Sequence, residues 1–446
     1  MKRTTARLLV LVLAMSLVLA ACGTTPANND TTAAPGTTSA PGGDTTAATA
    51  DTTAVNVDPV RLGAILPLTG GQATTGSNLQ QAMEVAVDII NNEHDINWDI
   101  AKNAGIQALS GAPIELIYGD CQSDATIAST EAASLLEKDI VGIAGAYSSG
   151  YSAAVAAQAL EYGIPMVCGS SSSASLTDGK AYDFASHFNR VAANDEMETI
   201  EFYEFLDHLN EEYDAGIKKV AIAYINNAYG IHADEMFAKY ANEYGYEITA
   251  RVSYDATITA ADTEAAQIIN GNPDVVFQAS YIGDLTMFAQ AYNSYKFQPK
   301  LVMCYCGGFQ DASFGSVATS LGANFYAGGQ ACSAVLSDKL DVFNYVNELY
   351  KARTGLDIDG PALEEFASII ILAQAIEAAG SADPDAINTA LKSNRFDAPY
   401  LTIGYVEFNQ NGQNTAMASF VTQLIDGKYE VVFPLDEFVT ATPVLP

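Results

Sequence analysis

Basic residues are scarce in this sequence. Its 446 residues include 20 lysines and arginines against 53 aspartates and glutamates, a formal net charge of −33. Three of the basic residues and none of the acidic ones lie within the first 21, so the remaining chain carries a charge of −36. A surface this acidic repels nucleic acid and acidic lipid, which argues against either as a partner and favours solubility.

The sequence also lacks the residues of a hydrolase. It has no Gly-x-Ser-x-Gly motif and only four histidines, none directly after a strand predicted to face a cleft. A serine nucleophile needs a histidine base within hydrogen-bond distance. Cys304 and Cys306 do not have the usual spacing of zinc ligands, and no histidine is near them. We therefore predict a protein that is not an enzyme and that uses neither a cofactor nor a metal.

The N-terminus has the pattern of an export signal. Residues 1–21 begin with the basic MKRTTAR and continue with LLVLVLAMSLVLAA, an apolar run too short to span a bilayer comfortably. The sequence LAAC resembles the lipobox of bacterial lipoproteins, which implies lipidation of Cys22; an ordinary signal peptide with a chance cysteine is the alternative. Residues 22–58 contain no aromatic residue and are rich in Thr, Ala, Pro and Gly, which predicts a disordered tether. We expect an exported protein, lipid-anchored to the extracytoplasmic face of the cell membrane.

Beyond the tether, apolar segments of strand length alternate with segments of helical periodicity. VRLGAILPL, IELIYGD, IVGIAGAYS and IPMVCG are predicted strands, each followed or preceded by an amphipathic segment such as LQQAMEVAVDIINNE. The series restarts near Arg190 with KKVAIAYIN, YEITARVSYD and PDVVFQASY. Such alternation predicts parallel sheets covered by helices, and two series predict two lobes. The expected fold is α/β, with two Rossmann-like lobes that have parallel central sheets and are joined by hinge crossovers.

Four consecutive serines, residues 170–173, directly follow the apolar YGIPMVCG. A serine run is usually a flexible linker, and a plain polar loop is one interpretation. In an α/β fold, however, ligands bind beyond the carboxyl ends of the strands, where hydroxyls and backbone N–H groups can hold a small anion. From the residues alone, both the anion-binding interpretation and the plain polar loop stay open.

The order and the amino-acid sequences of six stretches resemble those of type I periplasmic binding proteins, in particular the branched-chain amino-acid-binding (Leu/Ile/Val-type) lipoproteins of ABC transporters. The stretches include RLGAILPLTGGQATTGSNLQQAMEVAVDIIN, YGIPMVCGSSSSASLTD, VAIAYINNAYGIHADEMF and VEFNQNGQ. The resemblance implies that a monomer closes two lobes over a small ligand and delivers it to membrane permease subunits. It places lobe 1 at residues 59–190 and 330–400, and lobe 2 at residues 191–329 and 401–446.

The resemblance also implies a set of ligand contacts. In lobe 1 the ligand carboxylate would be held by Ser149 after the third strand, by the N–H of Ser170, and by the hydroxyl and N–H of Ser172. In lobe 2 the tyrosines that would cover the ligand are Tyr229 and Tyr281, because a tyrosine offers both an apolar face and a hydroxyl. Further candidates for the same cleft are Thr75, Tyr147, Ser148 and Ser171.

The sequence departs from this family where an ammonium group would bind. Cys306 stands at the position where amino-acid receptors often carry an acid, and Asp284 could substitute only if its loop turns inward. Burying an ammonium without a counter-charge costs several kcal/mol. Two ligand classes therefore stay open: a branched-chain or other neutral amino acid, or a small organic acid or amide that has no ammonium.

Two further questions concern the cysteines and the role of the protein. Cys121 and Cys168 both follow predicted strands of lobe 1 and could form a disulfide, and Cys306 or Cys304 could pair with Cys332. A ligand-sensing receptor has the same fold as a transport receptor. Sensors usually carry a transmembrane or effector segment after the binding domain, and the sequence given ends at ATPVLP, so we favour transport.

Overall fold

The computed structural model describes residues 57–311, 313–329, 339–417, 419–434 and 438–446. The predicted signal peptide, Cys22, most of the predicted tether and Cys332 lie outside the described residues. No helix within the described ranges has the length and apolarity needed to cross a membrane.

The first lobe is built on a parallel sheet of five strands in the order β2-β1-β3-β4-β5. Its central strands are short and apolar, and β3 is buried along its whole length, as expected for a sheet covered on both faces. These strands are β1 (Val60–Leu66), β2 (Ile114–Asp120), β3 (Gly142–Gly145), β4 (Met166–Cys168) and β5 (Phe188–Arg190).

The second lobe is built on a sheet of seven strands in the order β14-β13-β10-β9-β8-β6-β7. The five strands from β10 to β7 are parallel, and β13 and β14 form an antiparallel hairpin that extends one edge. The strands are β6 (Lys219–Ile225), β7 (Glu247–Tyr254), β8 (Val275–Ala279), β9 (Leu301–Cys304), β10 (Tyr326–Gly329), β13 (Val421–Ile425) and β14 (Lys428–Phe433). A separate antiparallel pair consists of β11 (Arg395–Asp397) and β12 (Tyr405–Glu407).

Helices connect the strands and cover both sheets, so the predicted α/β fold with two lobes and parallel central sheets is confirmed. Several helices begin at an Asp or Asn that accepts from the first free N–H groups, as Asp124 does from Thr126 and Ile127. The helices are α1 (Ala73–Asn91), α2 (Ala125–Leu136), α3 (Ser149–Tyr162), α4 (Asp195–Tyr213), α5 (Ala228–Tyr244), α6 (Asp262–Asn270), α7 (Ile282–Ser294), α8 (Phe314–Ser320), α9 (Asp341–Thr354), α10 (Gly360–Ala379) and α11 (Pro384–Ser393).

The chain order does not follow the lobe order. After the second sheet, α10 returns to pack against α1, β3 and β4 of the first lobe, and β13 and β14 then rejoin the second sheet. Most side chains of α10 are buried, because this helix packs against α1, α11 and strands β3 and β4. The exact lobe boundaries drawn from the sequence stay a prediction.

Two crossovers between the lobes run side by side. The N–H of Arg190 donates to Gly412 O (2.7 Å), and the N–H of Asn414 donates to Arg190 O (3.1 Å). Side chains reinforce this pairing, since Asn414 Nδ2 donates to Val191 O and Gln413 Nε2 to Ala192 O, each at 2.9 Å. The crossover after β5 and the segment around Gly412 therefore form one hydrogen-bonded strip.

The disulfide predicted between Cys121 and Cys168 is wrong. Both thiols are free and buried, as are those of Cys304 and Cys306. Cys121 directly follows β2 and Cys168 ends β4, and β1 and β3 lie between these two strands. Three strand spacings amount to about 14 Å, which is beyond the reach of a disulfide.

Candidate functional site

Two serine-bearing loops meet at the carboxyl edge of the first sheet. Strand β3 leads into the loop that ends at Ser148, and its neighbour β4 leads into the serine run. The loops bond to each other: the Ser173 N–H donates to Ser149 Oγ (3.2 Å), and Ser171 Oγ donates to Tyr147 O (2.8 Å). Adjacent parallel strands thus bring residues some 20 positions apart into one polar surface.

Tyrosines occupy the facing edge of the second sheet. Tyr229 lies in the first turn of α5, after β6, and Tyr281 is the residue before α7, after β8. The ring centroids of Tyr229 and Tyr281 are 5.4 Å apart, and that of Tyr147 in the first lobe is 5.8 Å from Tyr281. These tilted contacts form a continuous aromatic wall across the cleft.

A cavity of about 10 Å³ lies between the serine loops and the aromatic wall, which is room for about one water molecule. A ligand therefore enters this site only when the two lobes move apart from the closed arrangement. Its lining consists of Tyr147, Ser148, Ser149, Ser170, Ser172, Tyr229, Tyr281, Cys306 and Gly307. None of these side chains carries a charge at neutral pH, because burial raises the pKa of the Cys306 thiol and of the tyrosines.

The two lobes touch at the cavity. Ser148 Oγ and Tyr281 OH are 2.7 Å apart, and Thr75 Oγ1 donates to Asp311 Oδ2 over 3.3 Å. Each contact joins a residue of the first lobe to one of the second. The described conformation therefore has the cleft closed at these points.

Eight of the eleven predicted ligand contacts line the cavity, and three do not. Ser171 lies behind it, where its hydroxyl is 2.7 Å from that of Ser152. Thr75 borders the cleft through its bond to Asp311. Asp284 is buried against Tyr254, whose hydroxyl donates to it, and burial raises the pKa of Asp284 to about 6. Asp284 lies in the first turn of α7 and does not line the cavity.

Several donors in the cavity are available to an anion. Ser172 Oγ is buried, and apart from a weak contact with the Cys306 thiol it has no hydrogen-bond partner among the described residues. Helix α3 begins at Ser149 without a side-chain cap, and the first N–H groups of a helix have no partner within the helix. An N-terminal helix end and neutral hydroxyls can hold a carboxylate without a buried cation in direct contact with it.

Buried acids surround the cavity, and the sequence did not reveal them. Ser170 Oγ donates to Glu365 Oε1 (2.8 Å), and burial raises the pKa of Glu365 to about 7. Glu198 is 1% exposed, its Oε1 has no hydrogen-bond partner among the described residues, and burial raises its pKa well above the usual value. Both acids lie within helices, where acidic residues are usually solvated, so no signal in the sequence could have identified them.

The raised pKa of Glu365 predicts that the stability of the fold depends on pH. A buried carboxyl with a pKa near 7 stabilises the fold at pH below its usual pKa of about 4.5, and this contribution is lost as pH rises through 7. We expect Glu365→Gln to match the parent protein at pH 4.5 and to be more stable by about 1–3 kcal/mol at pH 8. Urea denaturation at both pH values measures the difference. A constant difference across this range would contradict the shifted pKa.

Comparisons with known proteins agree with this architecture. A sequence model of a family described as "Periplasmic binding protein" matches residues 59–428. The chain is 23% identical over 385 residues to "Leu/Ile/Val-binding protein homolog 7" of Brucella abortus (strain 2308), covering 84% of this chain and 91% of that protein.

Solved structures share the fold at lower identity. The leucine binding protein LivK of Thermotoga maritima superposes with a TM-score of 0.70 at 19% identity, covering 83% of this chain and 97% of its own. A solute binding protein of an ABC transporter from R. palustris, in complex with benzoate, superposes equally well (TM-score 0.70, 17% identity, 85% and 99% covered).

Proposed function

Because this chain belongs to the periplasmic binding protein family, as a type I solute-binding protein of the branched-chain amino-acid type and not an enzyme, we propose that it captures a neutral amino acid outside the cytoplasm and delivers it to an ABC-transporter permease. Leucine, isoleucine and valine are the proposed ligands. The cavity carries this proposal, since it sets neutral hydroxyl and N–H donors of one lobe against tyrosine rings of the other.

Each wall of the cavity suits one part of such a ligand. The loops with Ser149 and Ser172 offer donors to a carboxylate, and the rings of Tyr229 and Tyr281 offer apolar surface to a branched side chain. Because the walls belong to different lobes, a ligand held by both stabilises the closed state.

The ammonium of the ligand needs a carboxylate, and we favour Glu198 over Asp284 because Asp284 already accepts a hydrogen bond from Tyr254, whereas Glu198 Oε1 has no hydrogen-bond partner among the described residues. Glu198 lies near enough to Cys306, which lines the cavity, to raise the pKa of that thiol beyond the effect of burial. A buried carboxyl that is protonated in isolation ionises when a cation arrives beside it. We therefore infer that Glu198 neutralises the ligand ammonium from behind Cys306.

A thermal-shift comparison tests the ligand class. L-leucine should raise the melting temperature of the protein, because a ligand that binds only the folded state stabilises it. Its deaminated analogue, 4-methylpentanoate, should give a much smaller shift. Glu198→Gln should remove the difference between the two ligands, and Asp284→Asn should leave it unchanged. Equal shifts by both ligands in the parent protein would overturn the amino-acid proposal.

A small organic acid is the second candidate, and one observation favours it. None of the residues lining the cavity is a carboxylate, while tyrosine rings make up much of the wall. Benzoate, which the R. palustris relative binds, is the corresponding probe. Stabilisation by benzoate and by 4-methylpentanoate, but not by L-leucine, would assign the protein to this class.

The anchor proposed at Cys22 is tested by fractionation. The full-length protein expressed in a bacterial host should partition with membranes, and Cys22→Ala should release it to the soluble fraction, because lipidation supplies the membrane affinity. Cys121→Ala is a matched control, since it removes a cysteine that is buried in the fold. Equal partitioning of the Cys22→Ala variant and the parent would refute the lipid anchor.

A further inference from the structure

The serine run is held from behind by Arg190, which is fully buried. Its Nη1 donates to Ser171 O (3.0 Å) and to Ser173 O (2.6 Å), and its Nη2 donates to Thr177 Oγ1 (2.7 Å). Its Nε donates to Gln413 Oε1 (2.9 Å), on the paired crossover. One guanidinium thus joins the ligand loop to the strip between the lobes.

All of these acceptors are neutral. A buried cation usually has a hydrogen-bonded carboxylate, because desolvating an unpaired charge is costly. Burial lowers the pKa of Arg190, yet arginine does not lose its proton in proteins. A positive charge therefore stays directly behind the serine run.

Four ionisable groups lie near Arg190, and Asp195 has the largest effect on its pKa after burial. They are Asp195, Cys168, Glu198 and Cys306. Burial raises the pKa of both thiols and of Glu198, which favours the neutral form of all three, although the charge of Arg190 itself acts to lower the pKa of Glu198. Asp195 is shared, since it accepts from the Ala174 N–H (2.9 Å) and lies 2.6 Å from His232 Nδ1. Burial lowers the pKa of His232, but the hydrogen bond to Asp195 and the charges of Asp195, Glu235 and Asp178 together raise it above its usual value.

The contacts of Arg190 also orient the loop. A trans peptide unit points its C=O and the following N–H in opposite directions. Because Ser171 O points toward Arg190, the N–H of Ser172 points away from it, and Ser172 lines the cavity. The guanidinium therefore turns a carbonyl away from the ligand and an N–H toward it.

We propose that Arg190 supplies the positive charge of the ligand site from behind the serine run, without touching the ligand. This charge makes the site bind a carboxylate more tightly than the corresponding amide or alcohol. This inference rests on the proposed function only in taking the cavity as the ligand site. It narrows the ligand to an acid or a zwitterion and assigns Arg190 as a positioning residue that does not touch the ligand.

Thr177 allows the charge to be tested without changing the cavity. Thr177→Asp places a carboxylate beside Arg190 Nη2, and Thr177→Asn has the same shape without the charge. Calorimetry with L-leucine and with benzoate should show that the Asp variant binds on the order of tenfold more weakly than the Asn variant. L-leucinamide and benzamide should show no such loss, whereas a purely structural disturbance of the loop would weaken acid and amide alike.

The outcomes separate this inference from the function. Binding of benzoate but not of L-leucine to the parent protein would overturn the amino-acid ligand and leave the charge effect measurable. Equal affinities of the two Thr177 variants for the acid would overturn the role of Arg190 alone. If neither acid binds, both proposals fail. Should Thr177→Asp not fold, Arg190→Lys, which keeps the charge, should bind the acid more tightly than Arg190→Met, and equal binding would overturn the inference.

Discussion

The double variant Ser149→Ala/Ser172→Ala is expected to bind its carboxylate ligand about 100-fold or more weakly than the parent protein. Each hydroxyl lines the cavity, and a hydrogen bond to a charged group contributes about 1.5–3 kcal/mol. Isothermal titration calorimetry with L-leucine or benzoate, whichever binds the parent, measures the change. The two sites are close together, so their effects need not add, and each single variant should be measured as well.

Ser175→Ala is the matched control for this experiment. Ser175 belongs to the same loop but lies outside the cavity, where its hydroxyl is 2.7 Å from that of Ser173. It should leave affinity within about twofold, a change of less than 0.5 kcal/mol. If the double variant bound as tightly as this control, the serine run would be a polar loop with no part in binding.

Gly412→Ala is expected to destabilise the folded chain by about 3–5 kcal/mol. Gly412 has a φ of +81°, and a Cβ atom placed on it would lie 1.9 Å from Phe188 O, the backbone of β5. A side chain here must push the two crossovers apart, and the bond between the Arg190 N–H and Gly412 O would be strained. Urea denaturation monitored by circular dichroism gives the loss directly.

Gly404 provides a close control for Gly412. It has the same φ of +81°, but a Cβ atom on it would meet nothing within 4 Å. Gly404→Ala should therefore cost only about 1 kcal/mol, the strain of a left-handed alanine. A Gly412→Ala variant no less stable than Gly404→Ala would show that the crossovers can separate without loss.

The residues of the cavity were named from the sequence through the resemblance to a family, and their positions after strands agree with that choice. Carboxyl ends of parallel strands gather at one edge of a sheet, and residues that follow strands, such as Tyr147, Ser172 and Tyr281, come together there. The rule gives position along an edge but not the order of strands within the sheet. The strand order places two strands between those that lead to Cys121 and Cys168, and the predicted disulfide is wrong for this reason.

The charged groups behind the cavity could not be predicted. Glu198 and Glu365 are acids within helices, and only the packing of those helices shows that they are buried. Arg190 ends a strand of three residues that the sequence did not indicate, and its partner Gln413 is 223 positions away. Charges that act through buried, long-range contacts leave no local pattern in a sequence.

The paired crossovers also determine how the lobes can move. Two chain segments that share hydrogen bonds cannot slide past each other without breaking those bonds. Opening of the cleft should therefore bend the paired segments together as a hinge rather than shear one against the other. Such a hinge keeps the serine loops and the aromatic wall aligned as the lobes open and close. The same atoms of the two lobes therefore meet each time the cleft closes.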